Sequence, residues 1–390
     1  MQYNSRIVVC DNGTGMVKAG FAGDNYPTAT FPSILGKPLI RAEDESIGDI
    51  KLKPLMIGDE CIPAMKHLDV SYPVDNGIIL KWNDMEQLWR YTFHNKLGLN
   101  IDDSGKLETK DMRIMLTEAP LNPKENRKRM VETLFEKFDF AGVQCKTQAI
   151  LTLYSAARTT GMVVDSGDGV THCIGVYDGY LPSNLTRRLN IAGRHITRHF
   201  LDLLQSKGYA LNSSSDFEMV REMKEKYCYI ASNFKQETKL LNETTCLVEK
   251  YTLPDGREIK LDNERFEAPE ILFQPHLIGM ETGGISDMVF DCIQDAALYK
   301  NIVLSGGTTM FPGFAPRLES DIKQLYTNKI LKGESNSQVK KISVNAPPFR
   351  KHSVFCGASI YANMIAAKAD IWLSKQEWEE QGEKCLSKLL

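Results

Sequence analysis

Val8-Val9-Cys10-Asp11-Asn12-Gly13-Thr14-Gly15 is a short apolar run that closes on Asp, a small polar residue, Gly, a polar residue and Gly. The same phrase returns about a domain's length later as Met162-Val163-Val164-Asp165-Ser166-Gly167-Asp168-Gly169. One such phrase after a β-branched run also describes an ordinary hairpin turn. Two of them, each ending a strand, point to two similar α/β halves. A length of 390 residues agrees, being too long for one small core and suited to two domains or a pair divided into subdomains.

The loops suggest a chemistry. A triphosphate needs backbone N–H donors packed close together, and glycine allows this because a Cβ blocks the approach. It also needs a cation and a magnesium ion, usually held through water by one or two carboxylates. The first loop offers Gly13, Thr14, Gly15 and Met16 as donors, with Lys18 reaching toward the phosphates. The second offers Gly167, Asp168, Gly169 and Val170. Asp11 and Asp165 are expected to face each other across a cleft and hold the metal between them. No G-x-x-x-x-G-K-[ST] is present and no G-x-G-x-x-G follows a strand, so a nucleotide here requires a paired-loop clamp. A third glycine loop, Ile302-Val303-Leu304-Ser305-Gly306-Gly307-Thr308-Thr309-Met310-Phe311, reads either as a plain turn or as the floor for base and ribose.

Composition narrows the class. With 42% hydrophobic and 25% charged residues the chain is that of an ordinary globular protein. A net charge of −3 lacks the electrostatic footprint of a nucleic-acid binder. The local basic clusters Lys124, Arg127, Lys128, Arg129 and Arg187, Arg188, Arg194, Arg198 read as solvated helix faces. Nine cysteines are scattered without C-x-x-C or zinc-type spacing, which suits a reduced, intracellular chain. Residues 1–6 are polar and no apolar run is long enough to span a bilayer, so neither secretion nor membrane insertion is expected.

Helices are expected where such halves need them. Asn122-Pro123 starts one, with a capping side chain and proline in the first turn, and Met130, Leu134 and Phe138 follow at helical spacing. A second follows Ala192-Gly193, with Ile196, Phe200, Leu203 and Leu204 on one face and Gly208 placed to end it. A third begins at Ser215 with Glu218 completing a capping box, and Val220, Met223, Tyr227 and Ile230 form its core stripe. Residues 251–259 read as strand, tight turn, strand. Arg41 to Lys53 and Lys332 to Lys340 read as mobile surface insertions.

The three glycine loops together resemble the two phosphate motifs and the adenosine motif of the actin superfamily. Lys18-Ala19-Gly20-Phe21-Ala22-Gly23-Asp24, Leu116 to Pro123, Asp165 to His172 and Leu304 to Met310 resemble actin almost word for word, as do Lys224-Glu225-Lys226-Tyr227-Cys228-Tyr229 and Phe273-Gln274-Pro275. The resemblance runs from about Arg6 to Trp378. Thr186 to Arg198, Glu243 to Glu249, Asn263 to Glu270, Leu331 to Glu334, Pro347-Pro348 with Arg350-Lys351-His352, and the longer C-terminal tail depart from conventional actin. They resemble instead the actin-related proteins that belong to a filament-nucleating complex.

The resemblance implies an actin-like ATPase fold, two duplicated ribonuclease H-like α/β domains around a nucleotide cleft. It implies an outer domain of residues 1–155 plus 353–390, with 33–72 inserted, and an inner domain of 156–352, with 192–280 inserted. Phosphate contacts fall on Thr14, Gly15, Met16, Lys18, Ser166, Gly167, Asp168, Gly169 and Val170. The adenosine pocket falls on Arg221, Lys224, Glu225, Gly306, Gly307, Thr308, Met310, Phe311 and Lys351. Asp11 and Asp165 position hydrated magnesium, and Gln148, His172 and Asp165 take the catalytic places, Gln148 and His172 orienting and accepting from the attacking water. ATP/ADP and Mg2+ are the implied cofactors, with slow, regulatory hydrolysis. Implied partners are the other subunits of the nucleating complex, actin filaments and monomers, and nucleation-promoting factors, in the cytoplasmic, cortical cytoskeleton. A small-molecule kinase of the superfamily needs a carboxylate base beside a sugar pocket, and no segment suggests one. Against a conventional self-polymerising actin stand the divergent Arg41–Lys53 loop and the 331–340 insertion. Asn76 stands where actin has a histidine, the run Gln144 to Thr147 is more polar than the family's apolar strand, and Gln294 to Tyr299 is shorter than its counterpart.

Overall fold

The computed structural model describes residues 6–39, 46–47, 50–102, 105–253, 256–293, 296–334 and 339–389. Contacts divide the chain into two units, Met1–Thr159 with His352–Leu390, and Thr160–Lys351.

In the first unit Ile7–Asn12, Arg113–Glu118 and Gly142–Thr147 run parallel as the centre of a six-stranded sheet. Met16–Phe21 and Ala29–Pro32 extend it antiparallel on one side, and Leu373–Ser374 closes the other. Successive side chains on a strand point to opposite faces, so this sheet has two cores. Val8, Cys10, Ile114, Leu116, Val143 and Cys145 meet Met85, Leu88, Trp89, Leu134 and Phe135 on one face. Ile7, Val9 and Met115 meet Leu151, Phe355 and Ala358 on the other. That second face brings helices Gln148–Ser155 and Ser353–Met364 into close contact. A Cβ added to Gly357 would lie 1.7 Å from the Leu151 carbonyl oxygen, so only glycine lets the two backbones approach this far. Ile34, Met56, Cys61, Ala64, Met65 and Leu68 form a small separate cluster.

The second unit repeats the plan. Gly161–Ser166 pairs antiparallel with Thr171–Val176 and parallel with Ile302–Ser305, in a five-stranded sheet edged by Thr186–Leu189 and Val344–Asn345. Met162 and Val164 pack with Ile196, Phe200, Leu204, Ile285, Val289, Phe314 and Leu318. Strand–loop–antiparallel strand, then return to a parallel strand, is thus the order in both units. All nine cysteines are free thiols and all but Cys246 are buried.

Several local expectations change. Helix Lys124–Glu136 begins after Pro123, which is its N-cap and makes no side-chain capping bond. Asn122 instead donates to Glu118 at 3.1 Å and accepts from the Asn126 side chain at 2.9 Å, while Phe138 lies past the helix end. Gly193–Ser206 is the second helix, with Leu203 only partly buried and Gly208 at φ +93° beyond its end. The third starts one residue early, as Ser214–Tyr227, with its cap two residues early at Ser213. Its capping box is Ser213 with Asp216, and Asp216 also accepts from the Asn212 N–H at 3.0 Å, a bond Glu218 is too far along to make. Ile230 is buried but lies outside that helix. Glu249–Thr252 and Glu258–Leu261 form the expected antiparallel pair, and residues 254–255 of its turn lie outside the described residues.

Of the expected Arg41–Lys53 insertion, 40–45 and 48–49 lie outside the described residues, as do 294–295 and 335–338. The start of the 332–340 insertion is fixed by hydrogen bonds. Lys332 and Gly333 take φ +49° and +93°, and Gly333 and Leu331 donate back to Thr327 and Tyr326 at 3.0 and 3.2 Å, a left-handed cap on helix Phe314–Lys329.

The basic clusters are solvated in part: Lys124, Arg129, Arg187, Arg188 and Arg198 are exposed, but each cluster has a member drawn inward, Arg127 in one and Arg194 in the other. Arg127 is buried and forks onto Glu118 at 3.0 and 2.6 Å, Arg129 lies over Trp82 and Lys128 pairs with Glu383. Arg194 engages Asp168, Arg198 lies over Phe217, Arg187 donates to the Asn184 and Thr186 carbonyls, and Arg188 to the Asn190 side chain. Replacing Arg127 by Met leaves the Glu118 carboxylate buried without its fork, which costs about 3–5 kcal/mol. Urea unfolding of Arg127→Met should show that loss, and Arg127→Met with Glu118→Gln should recover most of it. Equal midpoints for wild type and Arg127→Met would contradict the assignment.

Candidate functional site

Each unit carries its glycine loop at the carboxyl end of a strand whose last two residues begin with aspartate, Asp11-Asn12 in one and Asp165-Ser166 in the other. In the first hairpin the Gly13 N–H donates to the Met16 carbonyl at 3.1 Å, and in the second the Gly167 N–H donates to Val170 at 3.2 Å. Gly13 and Gly167 therefore use their N–H groups to close the turns, and neither is the phosphate donor the sequence suggested. Their lack of a side chain still matters, since a Cβ on Gly13 would lie 2.6 Å from the Met16 oxygen.

The carbonyls of both loops are fixed from behind. Gly15 accepts from the Ser33 N–H at 3.0 Å. Gly167 accepts from the Gly193 N–H at 3.1 Å and the Thr308 hydroxyl at 2.6 Å, and Asp168 from the Arg194 N–H at 2.8 Å. The N–H groups of Thr14, Gly15, Asp168 and Gly169, by contrast, donate to no protein acceptor among the described residues. In the second loop the held Gly167 and Asp168 carbonyls share peptide groups with the Asp168 and Gly169 amides. Fixing the oxygens turns those amides away, the arrangement an anion nest needs. In the first loop the held Gly15 carbonyl bears in the same way on the Met16 amide, and the Thr14 and Gly15 amides are unbonded. Gly193 is required there, because a Cβ would lie 2.9 Å from Thr308 Oγ1 and 3.3 Å from the Gly167 oxygen.

Asp11 is the hub of the first unit's loop. Its Oδ1 accepts from Thr117 at 2.5 Å and Gln148 Nε2 at 3.2 Å, and its Oδ2 from Lys18 Nζ at 3.1 Å. With both oxygens so engaged, Asp11 suits a hydrated cation held through water better than direct ligation. Gln148 opens helix Gln148–Ser155 immediately after the strand, which is what carries it to Asp11. Gln144 is satisfied in the same strand by the Ile371 carbonyl and the Cys145 N–H, both at 2.8 Å. Thr14 is steadied by an Asn-Gly turn: Asn76 and Gly77 both take positive φ, and the Gly77 N–H donates to Thr14 Oγ1 at 2.9 Å. Asparagine suits that left-handed position better than a bulkier residue.

The second unit places His172 cross-strand from Asp165, as Lys18 is cross-strand from Asp11. His172 is buried, its Nε2 has no partner among the described residues, and burial, reinforced by Arg188, pushes its pKa down to about 4. It is a neutral imidazole at neutral pH. Ser166 is buried and its hydroxyl bonds to Thr171 at 2.7 Å. Asp168 is held by Arg194 at 3.0 Å, Val170 is buried and Met16 lies in the strand after the first loop.

In the third loop Gly306 takes φ +89°, and a Cβ would lie 2.2 Å from the Ser166 oxygen and 2.9 Å from Asp165 Oδ1. At Gly307 a Cβ would meet nothing within 4 Å. Met310 is 38% exposed, whereas Phe311 is packed in the second unit's core. Lys224 is buried, and its ammonium donates to the Gly193 carbonyl at 3.0 Å and Thr197 at 2.9 Å, so its charge holds the start of helix Gly193–Ser206. Arg221 pairs with Glu218 at 2.7 Å, and Glu225 and Lys351 are exposed. Sequence reasoning gave Thr117, Gly77, Gly193 and Arg194 no part in the site. Only the register that sets Thr117 beside Asp11 and the loop contacts of the other three reveal them.

His172 gives a direct check. An unfolded imidazole takes its proton near 6.5 and the folded one near 4. Its contribution to stability is therefore complete above about 6.5 and is lost as pH falls toward 4. NMR of the ring protons should find His172 still neutral at pH 5.5, and His172→Gln should flatten the rise of stability between those limits. A ring titrating near 6.5 would contradict the buried assignment.

The Actin family matches residues 2–389. Actin-related protein 2 of Arabidopsis thaliana is 48% identical over 393 residues, covering 99% of each chain. Actin-related protein 2 of Saccharomyces cerevisiae is 49% identical over 388 residues, covering 98% of this chain and 97% of the relative. Actin-related protein 2 of Acanthamoeba castellanii is 47% identical over 395 residues, covering all of both. No described helix is long and apolar enough to cross a membrane. The family match over residues 2–389, with three relatives 47–49% identical over nearly their whole length, makes this chain a member of the actin family.

Proposed function

We propose that the chain binds ATP with hydrated magnesium and works as the actin-related subunit of the actin-related protein 2/3 complex, nucleating branched actin filaments by presenting an actin-like surface. The observation that carries the nucleotide reading is the pair of loops whose amides are unbonded while their carbonyls are held. The relatives' shared name supports the assembly. Its partners are then the other subunits, actin filaments and monomers, and nucleation-promoting factors, in the cytoplasmic, cortical cytoskeleton.

In this reading Thr14, Gly15, Asp168 and Gly169 donate amides to the phosphates, and Lys18 adds charge. Met16, Ser166, Gly167 and Val170 shape the loops from within. Gly306, Gly307, Thr308, Met310, Arg221, Glu225 and Lys351 bound the nucleoside, while Phe311 and Lys224 support it from the core. Asp11 and Asp165 hold magnesium through its waters; when bound, the ion offsets phosphate charge and fixes the phosphate conformation. Gln148, held on Asp11, orients water, and neutral His172 can accept a hydrogen bond or proton through Nε2. Hydrolysis of this kind is mostly positioning and charge stabilisation, so it is slow where water is imperfectly placed. The nucleotide acts as a regulatory ligand.

Magnesium-ATP should bind the purified protein, and Asp11→Ala should weaken magnesium-dependent affinity on the order of tenfold or more. No binding at millimolar nucleotide would remove the nucleotide reading. Gly307→Ala should keep the folded stability yet weaken nucleotide binding, whereas Gly306→Ala should destabilise the fold itself. Immunoprecipitation of the tagged chain from its native cytosol should recover a stable multi-subunit assembly. Recovery of the chain alone, forming long filaments with salt and magnesium, would favour a conventional actin.

A further inference from the structure

We propose that Lys146 is a specificity-determining residue of the same site, a second lysine that favours the more highly charged triphosphate over the diphosphate. The inference rests on the nucleotide reading above.

The placement follows from register alone. Lys18 and Asp11 are cross-strand partners, Thr117 bonds Asp11, and Thr117 is the registered partner of Lys146 on the next parallel strand. Lys18, Asp11, Thr117 and Lys146 therefore form one row across four neighbouring strands. The alternation of buried residues sets them on one face. Cys10, Leu116 and Cys145, each one position earlier, all belong to the opposite core. The row crosses the carboxyl ends of the central strands, beside the loop that leaves Thr14 and Gly15 amides unbonded. Ligands of open α/β sheets bind at that end.

Lys146 stands about two strand spacings, roughly 10 Å, from Asp11 along the row, with Lys18 one spacing away on the other flank. Two lysines thus bracket the hub carboxylate. Two residues further on, Gln148 is already bonded to Asp11 at 3.2 Å. Lys146 is half-buried, and burial lowers its pKa against the opposing field of Glu118. Glu118 itself is forked by Arg127 and accepts from Asn122, on the opposite face of the sheet. A lysine ammonium is a compact point charge on a flexible stem. In a partly desolvated position its attraction grows with the charge of the anion it faces, so one more phosphate is felt strongly.

Equilibrium binding of magnesium-ATP and magnesium-ADP should be measured by calorimetry for wild type, Lys146→Met, Lys146→Gln and Lys146→Arg, alongside thermal unfolding without nucleotide. The expected result is an ATP affinity reduced on the order of tenfold in Lys146→Met and Lys146→Gln, with ADP changed less than about threefold. Lys146→Arg, which keeps the charge, should retain the preference. Equal losses for both nucleotides, or none for either, would overturn the assignment and leave Lys146 a structural residue. If Lys146→Met fails to fold, Lys146→Gln and Lys146→Arg carry the same comparison. Should the wild type bind neither nucleotide, the underlying reading fails with it, which is a different result from a wild type that binds both and variants that match it.

Discussion

The geometry of both glycine loops is dictated by where their carbonyl oxygens go. A tight turn between antiparallel strands leaves several peptide groups without partners, and buried peptide groups without partners are costly. Here the carbonyls are satisfied by groups behind the loop: Ser33 in the first unit, Gly193, Arg194 and Thr308 in the second. In the second loop the held Gly167 and Asp168 carbonyls share peptide groups with the Asp168 and Gly169 amides, so fixing one side orients the other. Loops anchored in this way need less ordering when a ligand binds.

Much of the rest follows from holding those anchors in place. Helix Gly193–Ser206 must begin on a glycine to approach the second loop, and Lys224 uses its buried charge to hold that helix start. In the first unit the Asn76-Gly77 turn steadies Thr14, and Gly357 lets helix Ser353–Met364 pack against helix Gln148–Ser155, whose first residue reaches Asp11. The conserved-looking plan of the two halves hides an asymmetry. The position opposite the loop aspartate is a lysine in one unit and a neutral histidine in the other. One favours bound negative charge; the other can accept a proton.

How much of this could be read in advance depended on whether a residue's role is local. The strand–Asp–x–Gly phrases were legible because apolar alternation and obligatory glycine are properties of a few consecutive residues. Apolar faces such as Ile196, Phe200 and Leu204 were legible for the same reason. The capping box was misplaced because the run Ser213 to Ser215 offers several caps, and only the extra bond from Asn212 to Asp216 selects among them. Arg127 was misread because a basic residue's partner, here Glu118, is brought to it by tertiary structure. Likewise the Gly167 amide resembled a phosphate donor until the turn claimed it. Phe311 sat within a recognised loop yet packs in the core, since one loop can serve both purposes on alternate sides.

The central claim is that the Thr14, Gly15, Asp168 and Gly169 amides are preformed anion donors. Residue-resolved amide hydrogen exchange with and without magnesium-ATP tests it most directly. The account predicts that these four exchange readily in the free protein and become protected together when the nucleotide is added, while Gly13 and Gly167 are already protected. Protection confined to one loop, or four amides unchanged by saturating nucleotide, would contradict it.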